Sequence, residues 1–344
     1  MVTLTRKERV QRVILRQPVD RLPTQVNYTR AMGEKLAAFL DVPVTGLPDR
    51  LDNHLLRVDL TAPRRVSDDG KIAYDWWGVG WSTETEGYWP VDSPMPRPDV
   101  LAEYPWPDPS DPHLLDEAGR TIVADEGRHF VAPNLGFCLF ERAWSLRGFE
   151  TLLMDLVLKP SFVEELLERI TDVQVALARR FVALGVDGGY FGDDYGAQRG
   201  MLFSPKTWRA LFKPRLARLF DIFREARLPI IMHSDGDISA ILPDLVEIGV
   251  TMLNPVQPEV LDHAWLKRAF GDQLAFYGGL SQQAVLSRGT PADVRAAVAE
   301  CARTLAADGT GLLIGPSHRM TSEIPLENVD AMLDAFAALM EGEP

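Results

Sequence analysis

The sequence predicts an α/β chain folded as a (β/α)8 TIM barrel with an amino-terminal extension or insertion. Three observations predict it. From His129 onward, short apolar runs alternate with amphipathic helical segments, the pattern of strands buried on both faces and joined by crossover helices. Several of these runs stop at polar or glycine residues, as strands do when their carboxyl ends open into a pocket. No GxGxxG or GxxxxGK(S/T) motif follows a run, so an open nucleotide-binding sheet has little support.

Taken in order, Thr5 and Glu8 fit a capping box that opens a short helix, and Leu22 to Tyr28 reads as a first strand. The stretch from Asp41 to about Pro109 is rich in Pro, Trp and Asp. It contains an aromatic strand or hairpin, Tyr74 to Trp81, and supplies one further strand. Its tryptophans either build a substrate wall or cover one end of the core. The later apolar runs are Phe130–Pro133, Gly188–Gly192, Pro229–Met232, Val250–Asn254, Leu274–Gly278 and Leu312–Gly315. Between them lie helical patterns at Ser161–Leu184, Lys206–Ala226, Ile238–Ile248 and Pro291–Ala307. Eight strands in all, in a chain of 344 residues, favour the closed barrel. The expected organisation is one domain over 1–344, with the extension, first strands and aromatic insertion in about 1–120 and the regular barrel in 121–344. No internal repeat is evident.

With 46% hydrophobic and 25% charged residues, the chain has a globular profile. Its formal charge of −13 argues against a nucleic-acid or anionic-membrane surface, so an anionic substrate must be met by local Arg or Lys. The two cysteines, Cys138 and Cys301, lack the spacing of a zinc finger. The amino-terminal segment has no apolar signal core, and no apolar run approaches the roughly 20 residues of a spanning helix. The expectation is a soluble, cytoplasmic protein, with a homodimer left open.

In a barrel the strand tips face one pocket, so they can be read together. They are Asn27 and Tyr28; Asn134 with Glu141 and Arg142; Asp193, Asp194 and Tyr195; His233, Ser234, Asp235 and Asp237; Asn254 and Gln257; Gly278, Gly279 and Gln282; and Ser317, His318 and Arg319. His233 and Asp235 point to one side of an extended chain, and His318 can complete three protein ligands around a zinc ion. The plainer alternative is that His233 hydrogen-bonds within the rim. Gly236 lets the backbone turn sharply. Asp193, Asp194 and Asp235, with Tyr195, are the acid/base candidates, because paired carboxylates raise one another's pKa. A solvated turn is the alternative for the pair. Glu141 and Arg142 read as a rim salt bridge. Asn27, Tyr28, Trp76, Trp77, Asn254, Gln257 and Gln282 are the substrate-binding candidates, with Trp81 beside them as an aromatic wall for an apolar or cationic group.

At these residues the chain resembles the uroporphyrinogen decarboxylase superfamily, and within it the methyltransferase-like branch. The resemblance rests on Pro243–Val250 with Leu253–Pro258, on Tyr277–Gln282 with Gly289–Pro291, and on Pro325–Val329. It covers roughly 130 to 340 well and the earlier chain loosely. It implies a barrel with its pocket at the carboxyl ends of the strands. True decarboxylases of the superfamily carry an arginine-rich amino-terminal motif, Met-Arg-Gln-Ala-Gly-Arg-Tyr, for tetrapyrrole propionates. The corresponding stretch here, Gln25 to Met32, has one arginine, so porphyrinogen decarboxylation is not expected. The corrinoid-linked methyltransferases hold zinc with His-x-Cys and a distant Cys. On that likeness His233 matches the histidine, Asp235 stands at the first cysteine and His318 lies near the second. Carboxylate and imidazole in place of two thiolates make a harder site. The implied function is methyl transfer between a small O-, N- or S-methylated substrate and a corrinoid on a partner protein or another carrier. The rival readings are a decarboxylase or lyase of a small non-porphyrin substrate, with Asp193 or Asp235 as proton donor, and a non-catalytic carrier-binding barrel.

Overall fold

A computed structural model describes residues 3–62, 64–87 and 89–341. Seven parallel strands follow one another around a curled sheet: β1 (Leu55–Val58), β2 (Phe130–Leu135), β3 (Gly189–Gly192), β4 (Ile230–His233), β5 (Met252–Asn254), β6 (Ala275–Leu280) and β7 (Leu312–Pro316). Thr24 closes the seam through parallel bridges to Asn53, ahead of β1, and to Ile314 in β7. Across that seam Gln25 N–H donates to Ile314 O, and Ile314 N–H to Pro23 O, each at 3.0 Å. Gly315 faces the Gln25 carbonyl so closely that an added Cβ would sit 2.1 Å from its oxygen. A side chain there would force the barrel open.

The expected first strand, Leu22 to Tyr28, is thus reduced to single bridges. Side chains replace the missing ladder: Asn53 exchanges bonds with Val26 N–H and C=O, and Gln25 Oε1 accepts from the His54 and Leu55 amides. The strand drawn from the Asp41–Pro109 region is Leu55–Val58, outside the aromatic segment. Tyr74 to Trp81 instead belongs to a separate antiparallel meander of Arg65–Val66, Ile72–Tyr74, Gly80–Ser82 and Pro90–Asp92. The Thr5–Glu8 capping box is present and starts a helix at Arg6–Ile14.

Period-2 alternation sorts the strand residues into two cores. Leu55, Phe130, Ala132, Tyr190, Ile231, Met252, Ala275, Tyr277 and Leu313 fill the barrel interior, joined there by Val10, Val13 and Ile14 of the first helix. Their neighbours Ile230, Met232, Leu253, Phe276, Leu312 and Ile314 pack outward on the surrounding helices. Those helices include Pro160–Leu184, Lys213–Glu225 and Pro291–Leu305. The first helix meets the strands at their amino ends, where Lys7 N–H donates to Arg128 O just before β2. One end of the barrel is therefore plugged by apolar side chains, and the carboxyl end is left for chemistry. Among the described residues no helix is long and apolar enough to cross a membrane.

Candidate functional site

Register brings three tips level: His233 of β4 pairs with Gly192 of β3 on one side and Asn254 of β5 on the other. The ladder continues one residue further, with Asp193 N–H on His233 O and Ser234 N–H on Asn254 O, each 3.0 Å. Beyond it the chain turns at Gly236, whose φ of +80° suits glycine. A Cβ there would lie 2.3 Å from the Gly196 backbone, so the two loops can cross only without one.

These tips open into a cleft of about 750 Å³. Asp194 and His233 line it, and with neighbouring Asp235 they place one ligand atom each within 4.8 Å of the others. His233 Nε2 is 3.7 Å from Asp194 Oδ1 and 3.9 Å from Asp235 Oδ1. The other ring nitrogen is held by Asn254 Oδ1 at 2.6 Å. Asn254 Nδ2 donates to the Tyr277 carbonyl at 3.0 Å, and a carbonyl can only accept, so the amide has one orientation. Its Oδ1 must then accept a proton from His233 Nδ1, so that in the neutral ring the Nε2 lone pair faces the carboxylates. Asp194 Oδ1 also accepts the Asp235 N–H at 2.8 Å, tying the two tips together. Burial raises the Asp194 carboxyl; His233 opposes that shift and Asp235 adds to it.

His318 stands at the edge of this group. Its Nε2 is 3.8 Å from Asp235 Oδ2, it is half exposed, and burial together with His233 lowers its pKa against the pull of Asp235. Of the expected set His233, Asp235 and His318, the first two meet, with Asp194 as the third member of the cluster.

Asp193, next in sequence to Asp194, goes elsewhere. Its carboxylate accepts the Leu139, Phe140 and Glu141 amides at 3.0, 2.9 and 2.7 Å, at the start of helix Phe140–Arg147. The Tyr195 hydroxyl donates to it at 2.5 Å. Burial pushes the Asp193 carboxyl up to about 6, against the pull of those donors. Both residues are fully buried, and Tyr195 lies among Phe140, Phe203, Trp208 and Phe212. They support the site from beneath and do not line the cleft.

That cap aims Glu141 into the cleft, and the expected Glu141–Arg142 rim salt bridge does not form. Arg142 pairs with Asp75 at 2.8 Å and lies 4.9 Å from the Trp77 ring centroid. Burial, with Asp194, Asp193 and Asp235 close by, holds the Glu141 carboxyl well above the usual range. Sequence reasoning placed Glu141 at a strand tip but paired it with Arg142, because nothing local marks which way it faces.

Among the substrate-binding candidates, Asn27 and Asn254 line the cleft. Asn27 Nδ2 donates to the Tyr277 hydroxyl at 2.6 Å. Tyr28 packs against Gly33, and Trp76 and Trp77 meet edge to face at 5.8 Å beside the core. Gln257 is buried in a turn, and Gln282 opens another by donating its N–H to Ser317 Oγ. None of these five reaches the cleft. The tryptophan that does is Trp81, 5.0 Å from Phe137 and anchored by its indole N–H to Asp75. Over the mouth, the Thr83–Gly87 loop of the meander is latched by Glu86. Its carboxylate accepts the Thr29 hydroxyl at 2.6 Å, the Ser322 amide at 3.0 Å and the Ser322 hydroxyl.

Residues 136–339 match the family model described as uroporphyrinogen decarboxylase (URO-D). Among solved structures, a methyltransferase from Methanosarcina mazei is similar over 97% of this chain and 98% of its own, with 19% identity and a TM-score of 0.73. A B12-independent methionine synthase from Shewanella sp. W3-18-1, in complex with selenomethionine, is similar over 93% and 97%, with 12% identity and a TM-score of 0.52. At such identities the likeness is one of fold. No curated protein matches the chain in sequence.

Proposed function

The chain belongs to the uroporphyrinogen decarboxylase family, and from that premise we propose that it moves a methyl group from a small O-, N- or S-methylated substrate to a corrinoid on a partner protein. One observation carries the reading: His233 Nε2, with its lone pair set by Asn254, converges with the Asp194 and Asp235 carboxylates at the floor of an open cleft. Two carboxylates and an imidazole at this spacing suit a divalent ion, and a cation there would offset the cost of burying Asp194 beside Asp235. Asp194, His233 and Asp235 would hold zinc, with His318 steering the outer oxygen of Asp235. When bound, the ion supplies Lewis-acid polarisation of the heteroatom that carries the methyl group. Burial beside the other carboxylates favours the protonated form of Glu141, which can deliver its proton to that heteroatom as the methyl departs. Trp81 and Phe137 exclude water on the wall towards the meander.

The test is the metal content of full-length protein purified without chelators, with methyl transfer to free cob(I)alamin followed for a panel of methyl ethers, methylamines and thioethers. The expected result is about one divalent ion per chain and turnover that stops in chelator and returns with zinc. Metal-free protein with undiminished transfer would overturn the metal reading.

Glu141 also favours a second reading, a metal-independent decarboxylase or lyase in which this acid protonates the product. Glu141→Gln separates the two by degree: a fall of roughly 10²-fold or more in turnover that persists in chelator supports proton transfer as the main chemistry. The same variant has a pH signature in metal-free protein. A carboxyl whose folded pKa is raised binds its proton more tightly in the folded state, so the Glu141 contribution to stability is greatest at low pH and is lost as pH rises through the folded value. Glutamine removes that slope. Thermal melts from pH 5 to 9 should show the wild type losing ground to the variant; parallel curves would mean that Glu141 ionises freely.

A further inference from the structure

Two tyrosines of the barrel interior, Tyr190 of β3 and Tyr277 of β6, both meet Asn254, but in different ways. Tyr277 uses its backbone carbonyl, which accepts from Asn254 Nδ2 at 3.0 Å, so that contact survives any change of the tyrosine ring. Tyr190 uses its hydroxyl, which donates to Asn254 Oδ1 at 2.9 Å. His233 Nδ1 lies 2.6 Å from the same oxygen. An amide oxygen has two lone pairs, so it can accept from both. Tyr190 is 5% exposed, and its hydroxyl proton meets no second acceptor among the described residues. The cleft pulls the imidazole the other way. His233 Nε2 faces Asp194 Oδ1 at 3.7 Å and Asp235 Oδ1 at 3.9 Å, and two carboxylates favour a proton on the nitrogen that faces them. A neutral ring protonated there carries its lone pair on Nδ1, so Asn254 would have to flip and present Nδ2 to it. The flip would set Asn254 Oδ1 against the Tyr277 carbonyl and leave the buried Tyr190 proton without its acceptor.

We propose that Tyr190 is a positioning residue for His233: by donating to Asn254 Oδ1, its hydroxyl locks the imidazole in the Nδ1-protonated tautomer and keeps the Nε2 lone pair open towards the cleft. It acts through Asn254, from a ring anchored in the apolar interior of the barrel. The inference rests on the metal reading of the proposed function, because an ion needs that lone pair. Its test reads the tautomer in metal-free protein, so the two can fail separately.

The experiment is heteronuclear NMR of the full-length protein carrying nitrogen-labelled histidine, stripped of metal and held at about pH 9, where an unperturbed imidazole is neutral. The His233 signals are those missing from His233→Ala. Wild type should show Nδ1 as the protonated nitrogen. In Tyr190→Phe the Nε2-protonated form should rise to roughly a tenth of the population or more, drawing the two nitrogen shifts together. Tyr277→Phe also takes a hydroxyl from the barrel interior but keeps the backbone carbonyl, and it should leave the tautomer as in wild type. A merely structural loosening would move both variants alike. Zinc affinity, read by competition with a colorimetric chelator, should fall about 10-fold in Tyr190→Phe and hold in Tyr277→Phe. Thermal melts within a few degrees of wild type establish that the variants are folded, and Tyr190→Met supplies a second hydroxyl-free form should Tyr190→Phe fail to fold. An Nε2-protonated His233 in the wild type, an unshifted tautomer in the folded Tyr190 variants, or an equal shift in Tyr277→Phe would overturn the assignment. A shift confined to the Tyr190 variants, in a protein that binds no zinc, supports the role of Tyr190 and overturns the metal reading alone.

Discussion

His233→Ala is expected to abolish tight metal binding and methyl transfer together. The substitution removes the imidazole whose Nε2 faces Asp194 and Asp235, and leaves two carboxylates that hold a divalent ion only weakly. Loss of a ligand should exceed the 10- to 100-fold typical of removing a supporting group, so metal affinity is expected to fall by more than roughly 100-fold. Stability should barely change, because His233 sits at a strand tip and its ring faces the cleft. Asn254→Ala supplies the comparison. It leaves every ligand in place but frees the imidazole to turn and to exchange tautomers, and the expected loss is the smaller 10- to 100-fold. Competition with a colorimetric zinc chelator measures both. Wild-type affinity in His233→Ala would show that the ion, if any, is bound elsewhere.

Asp193→Ala carries the other large effect, and it falls on stability. Removing that carboxylate strips the acceptor from three backbone amides and from the Tyr195 hydroxyl, all in buried surroundings. Unsatisfied buried donors cost about 1–3 kcal/mol each, with partial relief as the helix end relaxes, so a loss of about 3–5 kcal/mol is expected. Urea denaturation reads it directly, and a loss below about 1 kcal/mol would mean that the carboxylate is dispensable to the cap. In any folded fraction Glu141 should lose its aim, since its own N–H is one of the three donors.

Asp193 and Asp194 show where the sequence stops being readable. Two adjacent carboxylates at a strand end announce a polar tip, yet successive side chains point to opposite sides, and a shift of one residue exchanges their roles. Only pairing with β4 settles that Asp194 takes the cleft and Asp193 the helix end. The apolar runs that became β2 to β7 were legible because each is a local burst of buried residues bounded by turns. The first strand was not, because its contacts run through the side chains of its own Gln25 and of Asn53, and no periodicity records them. The tryptophans failed for a related reason. The strands of the meander are two or three residues long, too short for alternation to assign faces, so the sequence could not separate Trp81 in the cleft from Trp77 in the core. His233 and Asp235 were legible as a pair because an apolar run delivers them, whereas Asp194 joined them only through tertiary register.

The Glu86 latch makes passage through the cleft mouth a matter of rates. The roof is held at its rim by hydrogen bonds from Thr29 and Ser322 and not by a large buried apolar surface, so it can lift without disturbing the barrel. Motions of this kind run on microsecond to millisecond timescales, fast beside an ordinary turnover of about 10 per second. Entry of a small molecule then seldom limits the cycle. The carrier protein of the proposed reaction would have to keep the roof raised for as long as its prosthetic group is inside, so its residence time would depend on how quickly Glu86 finds Ser322 again.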